Sequence, residues 1–182
     1  MTVLNPSAQL TLLNTAVQPV PHTRKSHQAP IPFRQRCRRE TSAAPQLPGR
    51  AALLDRLSIV AALAPGAPLS FVVVKVDGLS ELNRSFGWTA GSEALRAIGQ
   101  EVCRVVRATD LAGRLTGTMF GIVLQGSGAT AAEAVAARLS YRINRALPGS
   151  QPVSVRVSAA TGTGVNADVL PVAAMESFRD EE

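Results

Sequence analysis

A chain of 182 residues with 46% hydrophobic and 18% charged side chains has the material for one domain with a sizeable core, and it is too apolar to stay unfolded throughout. It holds no run of 18 apolar residues and no basic stretch followed by a long apolar run near its start, so neither a spanning helix nor a secretory signal is expected. Two cysteines, Cys37 and Cys103, are too few for a disulfide framework, and a cytoplasmic chain is expected.

The net charge of +6 is unevenly placed. Residues 1–46 set Arg24, Lys25, Arg34, Arg36, Arg38 and Arg39 against Glu40, a net +5, while residues 47–182 carry 13 basic and 12 acidic side chains. The same leader has prolines at 6, 19, 21, 30, 32 and 45 and no sustained period, so it reads as a disordered or weakly ordered basic segment. Within it, 10–13 offers at most one helical turn. The run Arg34-Gln-Arg-Cys-Arg-Arg39 reads first as a solvated tail, and second as a weak contact for nucleic acid or an acidic surface.

From Leu47 the pattern becomes periodic. A helix is expected over 50–64, with Ala52, Leu53, Leu57 and Val60 on one face. The apolar run 69–76 reads as a buried strand. A short helix over 78–86 stops at Gly87, and a long one over 89–107 carries Leu95, Ile98, Val102 and Val105 at helical spacing. Strands at 110–115 and 119–124 flank Thr116-Gly117-Thr118 as a hairpin. A helix over 130–147 ends at Pro148-Gly149. Val153, Val155 and Val157 alternate with polar residues as a strand, and 167–180 forms a last helix with Pro171 in its first turn. The order α-β-α-α-β-β-α-β-α fits an antiparallel-rich sheet with helices packed on it, in the α+β class.

Several chemistries are excluded. Both histidines, His22 and His27, lie in the leader, which removes Ser–His and Cys–His catalysis and structural zinc from the domain. Neither lysine follows a glycine, so there is no phosphate-binding loop of the Gly-Lys-Ser/Thr kind. Gly162-Thr163-Gly164 reads as a turn after the last strand, and Cys103 as a buried, inert thiol. The carboxylates Asp77, Glu81, Glu93, Glu101, Asp110 and Glu133 are not paired at a spacing that builds a metal site.

The segments Leu47-Pro-Gly-Arg50, Val72-Val-Val-Lys-Val-Asp-Gly-Leu-Ser-Glu-Leu-Asn-Arg-Ser-Phe-Gly-Trp-Thr-Ala-Gly-Ser-Glu-Ala-Leu95, Arg107-Ala-Thr-Asp-Leu-Ala-Gly-Arg-Leu-Thr-Gly-Thr-Met-Phe-Gly-Ile-Val-Leu124 and 153–162 together resemble the GGDEF domain, the bacterial diguanylate cyclase. The resemblance covers about residues 47–180 and implies a palm-like fold. It also implies the joining of two GTP molecules into cyclic di-GMP, with acidic groups holding Mg²⁺ against the phosphates. This chain departs from that pattern. The metal-binding aspartate falls on Lys75. The Gly-Gly-Asp/Glu-Glu-Phe signature falls on Thr116, Gly117, Thr118, Met119 and Phe120. The guanine-binding asparagine is present as Asn83, its aspartate partner is Ser92, and the lysine of the last helix falls near Glu181. A cation at position 75 repels a divalent ion, so neither a catalytic residue nor a metal or other cofactor is expected.

Many members of the family carry an inhibitory Arg-x-x-Asp site for cyclic di-GMP just before the signature, and Arg107 and Asp110 stand at that spacing. An arginine fork donates to the O6/N7 edge of guanine, and a carboxylate accepts from N1 and N2. Alternatively, Asp110 caps the turn that leaves the helix. Arg104 and Arg114 lie nearby, as phosphate contacts or as plain surface charges. The leading expectation is an inactive GGDEF-like domain, residues 47–182, that binds cyclic di-GMP at Arg107 and Asp110 and signals to a protein partner. The alternatives are an interaction module that binds no nucleotide and, third, an active cyclase.

Overall fold

The computed structural model describes residues 11–13, 47–147 and 152–179. In chain order the elements are β1 (Thr11–Leu13), α1 (Arg50–Leu63), β2 (Pro68–Asp77), α2 (Leu79–Phe86), α3 (Trp88–Val105), β3 (Leu111–Arg114), β4 (Met119–Gln125), α4 (Ala129–Ala146), β5 (Ser154–Thr163), a 3₁₀ turn (Gly164–Asn166) and α5 (Leu170–Glu176). The strands form one sheet in the order β1-β5-β2-β4-β3, with every neighbouring pair antiparallel. The α+β expectation holds.

β2 explains the layering. Its run Phe71-Val-Val-Val74 is apolar at every position because both faces are covered. Val72, Val74 and Val76 meet Ile98, Val102, Leu139 and Ile143 of α3 and α4. Phe71 and Val73 meet Leu53 and Leu57 of α1 and Leu170 and Ala173 of α5. Burying each such Val, Leu or Phe side chain is worth about 1.5–3 kcal/mol.

Four local expectations are corrected. Residues 11–13 form an edge strand against Ala159–Thr161 of β5 instead of a helical turn. The rest of the leader, with its Arg34–Arg39 run and Cys37, lies outside the described residues, as do Pro148-Gly149 and Glu181. β5 runs from Ser154 to Thr163, so Gly162 and Thr163 close the strand and the turn expected at Gly162-Thr163-Gly164 begins only at Gly164. Ser158, Ala159 and Ala160 are small and buried mid-strand: the Ser158 hydroxyl donates to the Ala174 carbonyl of α5, Ala160 lies in the core under α1 and α5, and Ala159 in the core under α3 and α4. α5 ends at Glu176, short of the expected 180. Cys103 is half-buried and is not a free thiol, in place of the buried thiol expected. Among the described residues no helix is long and apolar enough to cross a membrane.

Gly78 links β2 to α2 with φ +76°, and a Cβ there would stand 1.8 Å from the Pro152 carbonyl oxygen. The left-handed backbone alone costs a non-glycine residue about 1–2 kcal/mol, and the clash is with main chain that cannot swing away. Gly78→Ala is therefore expected to lower stability by about 2 kcal/mol or more in a denaturant titration. An unchanged midpoint would contradict this packing.

Candidate functional site

The C-terminal end of β2 carries Lys75 and Asp77 on one face, since residues two apart in a strand point the same way. Lys75 pairs across the ladder with Met119 on β4 and with Arg156 on β5. Lys75 Nζ lies 3.9 Å from Asp77 Oδ1, and Arg156 Nε lies 2.8 Å from Asp77 Oδ2. A second Arg156 nitrogen donates to Asp77 Oδ1 at 3.3 Å. Both cations stand against the ring of Phe178, 5.9 Å from its centroid for Lys75 and 5.5 Å for Arg156. Lys75 does not simply reach into solvent from a strand end: its side chain is 17% exposed and ion-paired. Sequence reasoning missed Arg156, which no periodicity marks. Only the β2–β5 register reveals it.

The hairpin beside this cluster holds Thr116 to Phe120, the stretch onto which the resemblance puts the family signature. Thr116 and Gly117 are exposed, Thr118 and Met119 half-buried, and Phe120 buried. The Arg114 guanidinium donates to the Gly117 carbonyl at 2.9 Å and lies 5.2 Å from the Phe120 ring centroid. The Val76 N–H donates to the Thr118 carbonyl at 2.8 Å, which ties the loop to β2. None of these loop side chains carries a negative charge, and Asp77 is already held by two cations. Among the described residues no three His, Cys, Asp or Glu side chains converge as metal ligands. The residues present do not fit the Mg²⁺ that the family resemblance implies.

At the α2–α3 elbow, the Asn83 side-chain oxygen is buried without a hydrogen-bond partner. It lies against Gly91, where a Cβ would come within 2.0 Å of it. Ser92, in the second turn of α3, is exposed. The elbow keeps its amide acceptor and lacks the carboxylate.

Arg107 and Asp110 occupy the turn from α3 to β3. The Arg107 N–H donates to Asp110 Oδ2 at 2.9 Å, and the Asp110 N–H donates to the Arg107 carbonyl at 3.1 Å. This reciprocal pair, an aspartate cap on a tight turn, ends α3 at Val105 instead of 107. Arg107 is exposed, whereas Asp110 is 5% exposed. Burial pushes the Asp110 carboxyl above its ordinary value, opposed by the backbone N–H groups of Arg107 and Gln125 and by the charges of Arg107 and Arg138. Arg138 of α4 also donates to the Val105 carbonyl at 3.3 Å, at the C-terminus of α3 where a cation is favoured. Sequence reasoning missed Arg138 as well; its one signal is the spacing of Arg138, Arg142 and Arg145 along α4. Arg104 is ion-paired with Glu101, which is buried and bound from the other side by Arg142 at 2.7 Å. Glu101 therefore joins α3 to α4.

The raised Asp110 carboxyl has a definite sign. The folded state holds its proton more tightly than the unfolded chain, so this residue's contribution to stability is fullest below the unfolded value near 3.8 and is lost as pH rises through the folded value. In melts between about pH 7 and pH 4, wild type is expected to gain stability relative to Asp110→Asn as pH falls. A pH-independent difference would contradict the burial argument.

The family profile described as "Diguanylate cyclase, GGDEF domain" matches residues 43–167. The diguanylate cyclase DosC of Escherichia coli K12 is 32% identical over 80 residues, which span 44% of this chain and 17% of DosC. The GGDEF domain of FimX from Pseudomonas aeruginosa superposes with a TM-score of 0.64 at 16% identity, covering 74% of this chain and 88% of that one. The coiled coil and GGDEF domain of DgcB from Caulobacter crescentus, in complex with c-di-GMP, superposes with a TM-score of 0.58 at 20% identity over 74% of this chain and 78% of that one. The chain spans less than a quarter of the length of the curated relatives it matches.

Proposed function

Because the chain belongs to the GGDEF domain family, we propose that this domain does not make cyclic di-GMP but binds it, and passes its presence to a protein partner. The observation that carries this reading is the contrast between two faces of one domain. At the end of β2, Lys75 and Arg156 hold Asp77 where the family places a metal. At the α3–β3 turn, Arg107 stays exposed over a carboxylate that fixes its backbone.

Arg107 would supply the two-pronged donor for guanine, with Arg138 adding positive charge for a phosphate. Asp110 acts chiefly as a positioning residue, because its oxygens already accept backbone N–H groups. A carboxylate has about four lone-pair sites, so acceptor capacity toward guanine remains. No metal is needed at such a site. The test is fluorescence polarisation of a dye-labelled cyclic di-GMP with the full chain in EDTA. Saturable binding displaced by unlabelled ligand supports the reading, and a flat titration overturns it.

The burial of Asp110 favours one competing reading, an interaction module in which the pair is only a helix stop. That module would bind no nucleotide. The domain boundary belongs to the proposal too: a chain starting at Leu47 keeps all the buried residues described in both core clusters and is expected to unfold cooperatively on heating. Loss of cooperativity would place the leader within the folding unit. A cytoplasmic location and a weak contact of the basic leader with an acidic surface remain parts of the same proposal.

A further inference from the structure

We propose that Arg156 is a second, independent barrier to divalent metal at the end of β2, acting with Lys75 as a resident counter-ion for Asp77. The inference deepens the reading of this face as a displaced metal centre. It is carried by the register and by the contacts around one guanidinium.

Lys75 and Arg156 are direct cross-strand partners, so their side chains rise from the same face of the sheet. Asp77 lies one step diagonally from Arg156 and receives two of its nitrogens, at 2.8 and 3.3 Å. Such a two-point contact fixes direction as well as charge. The ring of Phe178, itself 5% exposed, stands 5.5 Å from the guanidinium carbon and limits its swing. Arg156 is thus held by its strand, by Asp77 and by the ring at once.

The consequence is that repairing position 75 alone does not create a metal site. The carboxylate introduced by Lys75→Asp would face Arg156 directly across the ladder, beside an Asp77 that Arg156 already holds. The guanidinium sits in the middle of both and neutralises the charge a cation needs. Removing Arg156 alone leaves Lys75 beside Asp77, with the same result. Only removal of both leaves two carboxylates on one strand face, and one or two carboxylates are the usual protein share of a hexacoordinate divalent site, the rest coming from waters and substrate phosphates.

The test is Mn²⁺ binding by the full chain, read as loss of the free-ion electron paramagnetic resonance signal. Wild type, Lys75→Asp and Arg156→Thr are expected to show no saturable binding, and the double variant to bind at least ~10-fold more tightly than either single variant, a non-additivity expected of contacting residues. Lys75→Asp with Arg156→Lys keeps a cation across from position 75 and is expected not to bind. Tight binding by Lys75→Asp alone would overturn the proposal, as would binding by the Arg156→Lys pair equal to that of the Arg156→Thr pair. So would absence of binding in a double variant whose melting and circular dichroism match wild type. Cyclic di-GMP binding is measured on the same proteins in EDTA, so its failure would sink the effector reading without touching the metal result.

Discussion

No cyclic di-GMP is expected from this protein with GTP and either Mg²⁺ or Mn²⁺, above a no-protein control, when products are separated by chromatography. The reaction needs a divalent ion to gather phosphate oxygens and neutralise developing charge. Two unit charges 4 Å apart interact by about 4 kcal/mol at an effective dielectric near 20. Placing Lys75 where a carboxylate is needed converts that attraction to a repulsion of similar size, a swing of about 8 kcal/mol per unit of probe charge. Asp77 offsets part of it, but Arg156 takes that offset away by holding Asp77 at 2.8 Å. Each ~1.4 kcal/mol is tenfold in an equilibrium constant, so metal affinity is expected to fall by several powers of ten. Product that grows with time and with protein concentration would contradict this.

Arg107→Ala and Asp110→Ala are expected to separate binding from folding. Arg107 is exposed, so its replacement removes a bidentate contact worth about 1–3 kcal/mol, roughly a five- to hundred-fold loss of cyclic di-GMP affinity, and leaves the ligand-free melting temperature where it was. Asp110 is buried and holds the Arg107 N–H. Replacing it orphans that donor and is expected to cost about 0.5–2 kcal/mol of stability, by analogy with other side-chain caps, together with affinity. If both variants melt as wild type, Asp110 is not the cap its geometry describes. If both bind as wild type does, the α3–β3 turn is not the ligand site.

The fold was legible where the physical pattern is strong. The apolar run of β2 announces a strand covered on both sides, and Ile98, Val102 and Val105 announce the buried stripe of α3. It was illegible where small residues are chosen by close packing. Ser158, Ala159 and Ala160 carry no strand propensity, yet they sit mid-strand, Ser158 and Ala160 on the face that α5 covers and Ala159 on the opposite face. The strand at 11–13 is set by the free edge of β5, a tertiary fact that no local period encodes. For the candidate site, motif order located Lys75, Asn83, Arg107 and Asp110. It gave no view of Arg156 or Arg138, because each enters through a neighbour distant in sequence: Lys75 across the β2–β5 ladder, and Asp110 across the α3–α4 packing. The disparity in exposure between Arg107 and Asp110 was equally hidden, because burial is set by the packing around the α3–β3 turn.

On the proposed reading, this domain has exchanged metal-dependent synthesis for metal-free recognition. Calorimetric titration of the full chain with cyclic di-GMP in EDTA, with GTP as the parallel ligand, tests it most directly. The account predicts saturable heat for cyclic di-GMP at micromolar concentrations, unchanged when Mg²⁺ replaces EDTA, and markedly weaker binding of GTP. No heat from cyclic di-GMP, or binding that appears only with Mg²⁺, would contradict it.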